Sequence, residues 1–199
     1  MSPRSNLSRQ LMLGGILLTW LSVVIGGWIG LSAYAQRAGA SSAAPLRLDA
    51  AAPKSEQYRL LMFVHPRCGC SASSMRELER TLARCDGHVA AEVYFYRPLN
   101  ESDDWAHTSL WNIATAIPDV TVHIDPDGVE ARKFAVKTSG SVLLYDPRGR
   151  LCFQGGLTTA RGHEGDSAGK VAILSIAHGK ATSAPGTRVF GCSLVSDLP

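Results

Sequence analysis

Two cysteines separated by one residue, Cys68-Gly69-Cys70, follow the apolar run Leu60-Leu61-Met62-Phe63-Val64 and the tripeptide His65-Pro66-Arg67. Beyond them Met75, Leu78, Leu82 and Cys85 recur with the spacing of one helical face. The apolar run reads as a buried strand, so both cysteines fall at or just before a helix N-terminus. Unpaired backbone N–H groups and the helix dipole favour an anion there, which lowers a thiol pKa and makes the thiolate the reactive species. Arg67 adds a positive charge, and His65 stands where an imidazole can tune the thiols. A disulfide needs Cα atoms roughly 5.5–6 Å apart and a dihedral of about ±90°. Residues i and i+2 satisfy this only in a tight bend, which Gly69 permits. A bond so formed is strained and more readily reduced than a structural one. The alternative is a pair of inert thiols or a fixed staple.

The chain has five cysteines. Outside the cytoplasm an odd count leaves at least one without an intramolecular partner. Cys85 lies on the core face of its helix and Cys152 in a strand, so both read as packing residues. Cys192 lies in the late segment Thr187-Arg188-Val189-Phe190-Gly191-Cys192, whose Val189 and Phe190 give it a reason to dock. There it is a possible third thiol, resolving a disulfide with Cys68 or Cys70, or else a third metal ligand; a free tail thiol is an equal outcome. Of six histidines, His65 and His163 are candidates, and His88, His107, His123 and His178 read as surface or loop residues. His163 occupies the glycine-flanked loop Arg161-Gly162-His163-Glu164-Gly165. Soft thiolates beside an imidazole suit Cu(I) or Zn(II), so Cys68, Cys70, His163 and Cys192 form the alternative copper or zinc set. Otherwise no cofactor is expected. The glycine-containing loop lacks the Lys-Ser/Thr of a phosphate loop, which excludes nucleotide binding on that ground.

The elements that must position these residues come next. Residues 1–10 carry Arg4 and Arg9, and Leu11 to Gln36 contain no charge. At about 1.5 Å per residue such a span crosses a hydrocarbon core of roughly 30 Å. Residues 11–35 are therefore read as a transmembrane anchor, with the N-terminus cytoplasmic and the rest extracytoplasmic, or periplasmic. Ala33-Tyr34-Ala35 also has the form of a signal-peptide cleavage site, so a signal peptide is the alternative. Residues 36–57, rich in Ala, Ser and Pro, read as a flexible linker. The region from 58 to 180 suffices for one compact domain, and residues 181–199 form a tail carrying Cys192.

Within the domain, Val89–Tyr96 reads as a strand, and Leu110, Ile113, Ala114 and Ile117 as a helix ending at Pro118. Val120–Ile124 leads to the turn Asp125-Pro126-Asp127-Gly128 and a short helix over 130–134. Ser141–Tyr145 and Leu151–Gln154 flank Asp146-Pro147-Arg148-Gly149 as a hairpin, and Val171, Leu174 and Ile176, with Ala172 and Ala177, read as a last helix ending at Gly179. The order predicts an α/β sandwich with a mixed sheet. Apart from Arg4 and Arg9, eighteen basic residues face seventeen acidic ones. That balance and the lack of a basic stripe exclude a nucleic-acid partner.

A strand, a dicysteine turn at a helix start, a βα crossover, the hairpin "SVLLYDPRGRL" and a closing helix resemble the thioredoxin-like superfamily. The membrane-tethered extracytoplasmic thioredoxins of the cytochrome-maturation type are the nearest group. The stretches "HPRCGCSASSMREL", "TTARGHEGDSAG" and "VFGC" are also similar to a little-studied group labelled RedB. The resemblance implies a three-layer α/β/α sandwich with a mixed central sheet over residues 58–180. It also implies thiol–disulfide chemistry with protein thiol or disulfide substrates and a redox donor. The sequence departs from the family twice. The usual C-x-x-C preceded by Trp is here C-x-C preceded by His65-Pro66-Arg67. The family's cis-proline before the hairpin is replaced by the loop Ser139-Gly140-Ser141.

Two functions therefore stand. One is a membrane-anchored thiol–disulfide oxidoreductase with Cys68 as nucleophile and Cys70 as resolving thiol, its site tuned by His65, Pro66, Arg67 and Gly69. The other is a thioredoxin-fold metal-binding or copper-chaperone protein using the same cysteines. A scaffold without chemistry is a third possibility.

Overall fold

The computed structural model describes residues 3–48, 56–182 and 184–194. It divides into two units, residues 1–36 and 37–199.

The first unit is one helix, α1 (Pro3–Ala35). Its apolar side chains, among them Leu11, Leu17, Trp20, Val23, Trp28 and Leu31, are exposed. The segment Arg9–Ala35 is long and apolar enough to cross a membrane. Thr19 Oγ1 and Ser22 Oγ donate to the carbonyls of Gly15 and Leu18, so their hydroxyls are satisfied within the helix, as a hydrocarbon surrounding requires.

The second unit is built on a five-stranded mixed sheet. Its strands are β1 (Tyr58–Val64), β2 (Val89–Arg97), β3 (Val120–Pro126), β4 (Ser141–Tyr145) and β5 (Leu151–Gly155), in the order β3-β2-β1-β4-β5. The first three are parallel and β4 and β5 antiparallel to their neighbours. The helices are α2 (Ser71–Leu82), α3 (Ser109–Thr115), α4 (Val129–Lys133) and α5 (Ala168–Ala177), with a single 3₁₀ turn at Asp103–Trp105. This is the α/β/α sandwich expected from the order of elements.

Alternation along β1 divides the core. Leu60, Met62 and Val64 point to one face and pack with Met75 and Leu78 of α2, Leu110 and Ala114 of α3, and Ile173 and Ile176 of α5. Leu61 and Phe63 point to the other, with Leu143 and Tyr145 of β4 and Ala131 and Phe134 at α4. One five-residue helix does not cover that second face. Ala44, Leu48 and Leu194 complete it, so two segments outside the sandwich are drawn onto the sheet by exposed apolar area.

Residues 37–48 therefore differ from the flexible linker expected of them. The Leu48 amide donates to Gly149 O, Leu46 O accepts from the Leu151 amide, Pro45 O accepts from Tyr145 Oη at 3.0 Å, and Ala40 O accepts from Thr138 Oγ1 at 2.9 Å. Composition gave no sign of this, because the bonds use main-chain groups that every residue carries. Residues 49–55 of the same stretch lie outside the described residues.

The turn signatures form as the side chains dictate. Buried Asp125 accepts the Glu130 and Ala131 amides at 2.9 and 3.0 Å, starting α4, while Gly128 takes the left-handed conformation at φ 67°. Asp146 accepts the Arg148 and Arg150 amides and so closes the β4–β5 turn.

Candidate functional site

The turn before α2 is local in construction. The Cys68 amide donates to His65 O, the Ser71 amide to Cys68 O, each at 3.0 Å, and Cys70 is the N-cap. Gly69 is absent from the residues with positive φ, and a Cβ on it would meet nothing. The Ser71 amide bond to Cys68 O closes a right-handed turn across Cys68-Gly69-Cys70, which leads into the helix with Cys70 at φ −68° and ψ −25°, and both cysteines are free thiols.

A different cysteine meets Cys68. The tail leaves α5 and runs beside β5, where the Gln154 amide donates to Pro185 O and the Thr187 amide to Gln154 O. Thr187 Oγ1 bonds the Gly156 amide and carbonyl. Val189 O then accepts from the Gly39 amide, and Val189 and Phe190 are buried. Finally the tail pairs with the loop before β4. The Ser139 amide donates to Cys192 O, the Leu194 amide to Lys137 O, each at 2.9 Å, and Thr138 and Ser193 form an antiparallel bridge. A Cβ on Gly191 would collide with the Ser139 carbonyl, so only glycine permits this approach. The pairing sets Cys192 Sγ 2.9 Å from Cys68 Sγ and its amide 3.4 Å from the same sulfur, both cysteines being free thiols.

The two thiols are electrostatically unequal. Burial raises the Cys68 pKa, but hydrogen bonds from the Cys192 thiol, the Ser71 hydroxyl and the Cys192 and Cys70 amides outweigh it, and the net shift is downward. Cys192 is pushed up to about 12 by burial, by its bond to Cys68 and by the charges of Cys68 and Cys70, with Arg161 opposing. Thus, when the pair loses one proton, the charge settles on Cys68 and Cys192 keeps its proton. Cys68 is 1 % exposed, whereas Cys70 and Cys192 are half-buried.

The tuning expected of His65 and Arg67 is supplied by these nearer donors. His65 stacks on Tyr96 and meets Trp105 edge-on, and its Nδ1 accepts the Arg67 amide at 3.2 Å. Burial, and then Arg67, lower its pKa, which keeps the ring neutral. The Arg67 guanidinium lies 4.5 Å from the Trp105 ring centroid. Pro66 O accepts from Thr108 Oγ1. In the loop before β4, Ser139 Oγ accepts the His65 amide at 2.8 Å, the Gly140 amide donates to Phe63 O, and Ser141 Oγ donates to Thr138 O.

His163 is exposed, its ring bonded to Arg161 O. Among the described residues no group of three or more His, Cys, Asp or Glu is placed to hold a metal ion, so Cys68, Cys70, His163 and Cys192 do not form one donor set. Cys85 is buried, donates to Thr81 O and is pushed up to about 11, chiefly by burial. Cys152 donates weakly to Arg150 O. Ser71 and Trp105 had not been singled out in the sequence. A hydroxyl directly after the second cysteine was a signal for the first, and nothing local marked the second.

No family model matches the sequence, and no curated protein does. Among solved structures the chain is similar to a hypothetical protein of Sinorhizobium meliloti, with a TM-score of 0.56 and 17% identity over 79% of this chain and 93% of that one. An uncharacterized conserved protein of Geobacillus kaustophilus gives 0.58 and 16% over 82% and 94%. A secreted Mycobacterium tuberculosis disulfide oxidoreductase gives 0.43 and 15% over 63% and 84%. With a thiol turn opening α2, the strand order β3-β2-β1-β4-β5 and a β4–β5 hairpin whose preceding loop meets that turn, residues 58–177 have the thioredoxin-like fold.

Proposed function

We propose that this chain is a membrane-anchored, extracytoplasmic thiol–disulfide oxidoreductase in which Cys68 is the nucleophile and Cys192 the resolving thiol. One observation carries the reading: Cys68, just before a helix start and with its pKa shifted downward, lies 2.9 Å from the sulfur of Cys192, whose pKa is shifted upward. The Cys68 thiolate attacks one sulfur of a partner protein's disulfide. A mixed disulfide forms and the other partner sulfur leaves as thiolate. Cys192 gives up its proton and attacks the Cys68 sulfur. The second partner thiol is expelled and a Cys68–Cys192 disulfide remains. The partner has gained two electrons and two protons, and a donor dithiol returns them to the protein. Because Cys68 is 1 % exposed beneath the docked tail, a partner reaches it only when the Cys192 segment lifts. Helix α1, with Arg4 and Arg9 at the start of its sequence ahead of the uncharged stretch, anchors the domain on the far side of the membrane, where a disulfide persists.

The role of Cys70 separates this reading from a C-x-C mechanism. Among the described residues no hydrogen bond joins the Cys70 thiol to Cys68; Cys70 contributes its amide. Cys192→Ser should trap covalent complexes with partner proteins through Cys68, seen on non-reducing gels of whole membranes, and Cys70→Ser should trap none. Trapping by Cys70→Ser alone would return the resolving role to Cys70. Failure of both to trap, with Cys68 alkylating at the pH of a free thiol, would end the oxidoreductase reading.

A further inference from the structure

The segment Arg37-Ala38-Gly39-Ala40 bonds both the tail and the loop before β4. The Gly39 amide donates to Val189 O at 2.9 Å, three residues before Cys192. Ala40 O accepts from Thr138 Oγ1, also at 2.9 Å, and Arg37 O accepts from Arg161 Nε at 3.2 Å. Thr138 is 2 % exposed and pairs on its main-chain side with Ser193 of the tail. One residue thus joins the two segments: its hydroxyl holds Ala40, and its backbone meets the residue after Cys192. The fit at this junction is close. A Cβ on Gly39 would collide with Cγ2 and Oγ1 of Thr138. Threonine is stiff at χ1, so its side chain cannot swing aside while Oγ1 stays on Ala40 O. The tail is otherwise held by Thr187 on Gln154 upstream of Cys192, and by Ser139 and Lys137 at Cys192 and Leu194. Gly39 supplies the main-chain bond in the interval between Thr187 and Cys192.

We propose that Gly39 and Thr138 are positioning residues for the resolving thiol: the segment 37–40 is a clasp that holds the Cys192 tail against Cys68 and sets how often the tail lifts to admit a partner. This rests on the oxidoreductase reading. Cys68 is 1 % exposed with the tail docked, so a reagent reaches it from the lifted state, and its rate of modification follows the lifted fraction. A bond that exists only in the docked state changes that fraction by its own free energy. A clasp that is too tight shuts the nucleophile away from partners, and one that is too loose leaves a mixed disulfide without its resolving thiol. Residues 37–40 lie beyond Ala35, so the clasp is retained whether or not the chain is cleaved there.

The test is the rate at which iodoacetamide modifies Cys68 and Cys85 in the reduced full-length chain in detergent, each site followed by tandem mass spectrometry. Cys85, 1 % exposed in the core packed on α2 and away from the tail, reports global opening. Thr138→Val keeps the shape and removes the hydroxyl. It should speed Cys68 modification about fivefold, the factor expected for one lost hydrogen bond, and leave Cys85 at its wild-type rate. Thr138→Ser keeps the donor and should lie closer to wild type than to Thr138→Val. Gly39→Ala, which forces the two segments apart, should speed Cys68 by about tenfold. Cys68 rates unmoved by both Thr138→Val and Gly39→Ala overturn the clasp and leave the function standing, as do equal accelerations at Cys68 and Cys85, or Thr138→Ser as fast as Thr138→Val. The function is checked in the same wild-type sample with oxidised glutathione, which takes two electrons and two protons from Cys68 and Cys192 and leaves as two glutathione thiols. A wild type that forms no Cys68–Cys192 disulfide overturns the resolving role of Cys192 itself, whatever the alkylation rates.

Discussion

The turn that carries Cys68 and the tail that carries Cys192 meet at one sulfur contact and are held by different means. The turn closes on itself through bonds spanning three residues, His65 to Cys68 and Cys68 to Ser71, and continues into a twelve-residue helix whose Met75 and Leu78 are buried. The tail makes no such local closure. It is held by main-chain bonds to Gln154, Gly39, Lys137 and Ser139, each far away in sequence, and by burial of Val189, Phe190 and Leu194. Cys68 is thus part of the sandwich, and Cys192 is an addition laid along the β5 edge and the loop before β4. A resolving cysteine must approach and withdraw within each cycle. An edge-paired segment can do so without disturbing the core, whereas a cysteine on a helix cannot.

The largest effect should come from testing that division by chemistry. Cys68→Ser and Cys192→Ser should each reduce turnover of a dithiol peptide substrate to background, while Cys70→Ser stays within roughly tenfold of wild type. Equal losses for Cys70→Ser and Cys192→Ser would erase the distinction between turn and tail.

The parts of this arrangement that sequence made legible were those that repeat locally. The apolar strand 60–64, the helix bearing Met75, Leu78 and Leu82, the D-P-D-G turn and the hairpin about Asp146–Gly149 are all present, although the helix stops at Leu82 and leaves Cys85 in the turn after it. Each is coded by side-chain periodicity or by an Asp that caps its own turn. The pairing of Cys68 with Cys192 was not coded in this way. It depends on Gly191, whose need for glycine exists only once the Ser139 carbonyl lies opposite, and on amide bonds that leave no compositional trace. The same reasoning covers residues 37–48, where Ala, Ser and Pro read as a tether because nothing in them announces the uncovered sheet face that they meet. C-x-C drew attention to Cys70 by proximity in sequence, whereas the thiol that lies against Cys68 is Cys192, whose segment only the apolar Val189 and Phe190 mark as one that docks.

A second prediction concerns what fastens the α2 side. Glu77 is fully buried on α2, and Lys170 Nζ of α5 lies 2.5 Å from its Oε2. The Gly165 amide and Arg80 also bond the carboxylate. Burial alone would raise the Glu77 pKa, but Lys170, the Gly165 amide and Arg80 together lower it. Lys170→Met leaves the buried carboxylate with only the Gly165 amide and the solvent-exposed Arg80 and should cost up to about 3–5 kcal/mol in denaturant unfolding, whereas Glu77→Gln combined with Lys170→Met should recover much of that loss. A double variant as unstable as the single one would show that the pair serves packing rather than charge.

Gly191→Ala sharpens the comparison from the tail side. The added methyl collides with the Ser139 carbonyl, so the tail must shift, at a cost of about 1–3 kcal/mol. Because that cost falls on an edge segment, it should appear as local opening before global unfolding. Hydrogen exchange should quicken at the Ser139 and Leu194 amides while Leu61 and Met62 stay protected. Alkylation of Cys68, 1 % exposed in the docked state, should accelerate. Uniform loss of protection across β1 and the tail would mean that the two regions are one cooperative unit.

The smallest expected effect isolates a thiol that belongs to neither region's chemistry. Cys85, 1 % exposed in the turn that follows α2, is raised from 9.0 to about 11 by burial and by Asp86, with Arg84 opposing. A raised folded-state pKa means that the unfolded chain loses this proton first as pH rises. The stability contributed by the neutral thiol is complete below pH 9 and is lost between about 9 and 11. In the oxidised protein Cys68 and Cys192 no longer titrate, which leaves Cys85 as the most strongly shifted thiol. Cys85→Ala should lower stability at pH 7 by about 1 kcal/mol through lost packing. It should also flatten the decline between pH 9 and 11, so that the gap between variant and wild type narrows or closes at the alkaline end. Urea midpoints of both oxidised proteins, measured at intervals across that range, read this directly. A gap that stays constant with pH would show that Cys85 contributes by its volume alone.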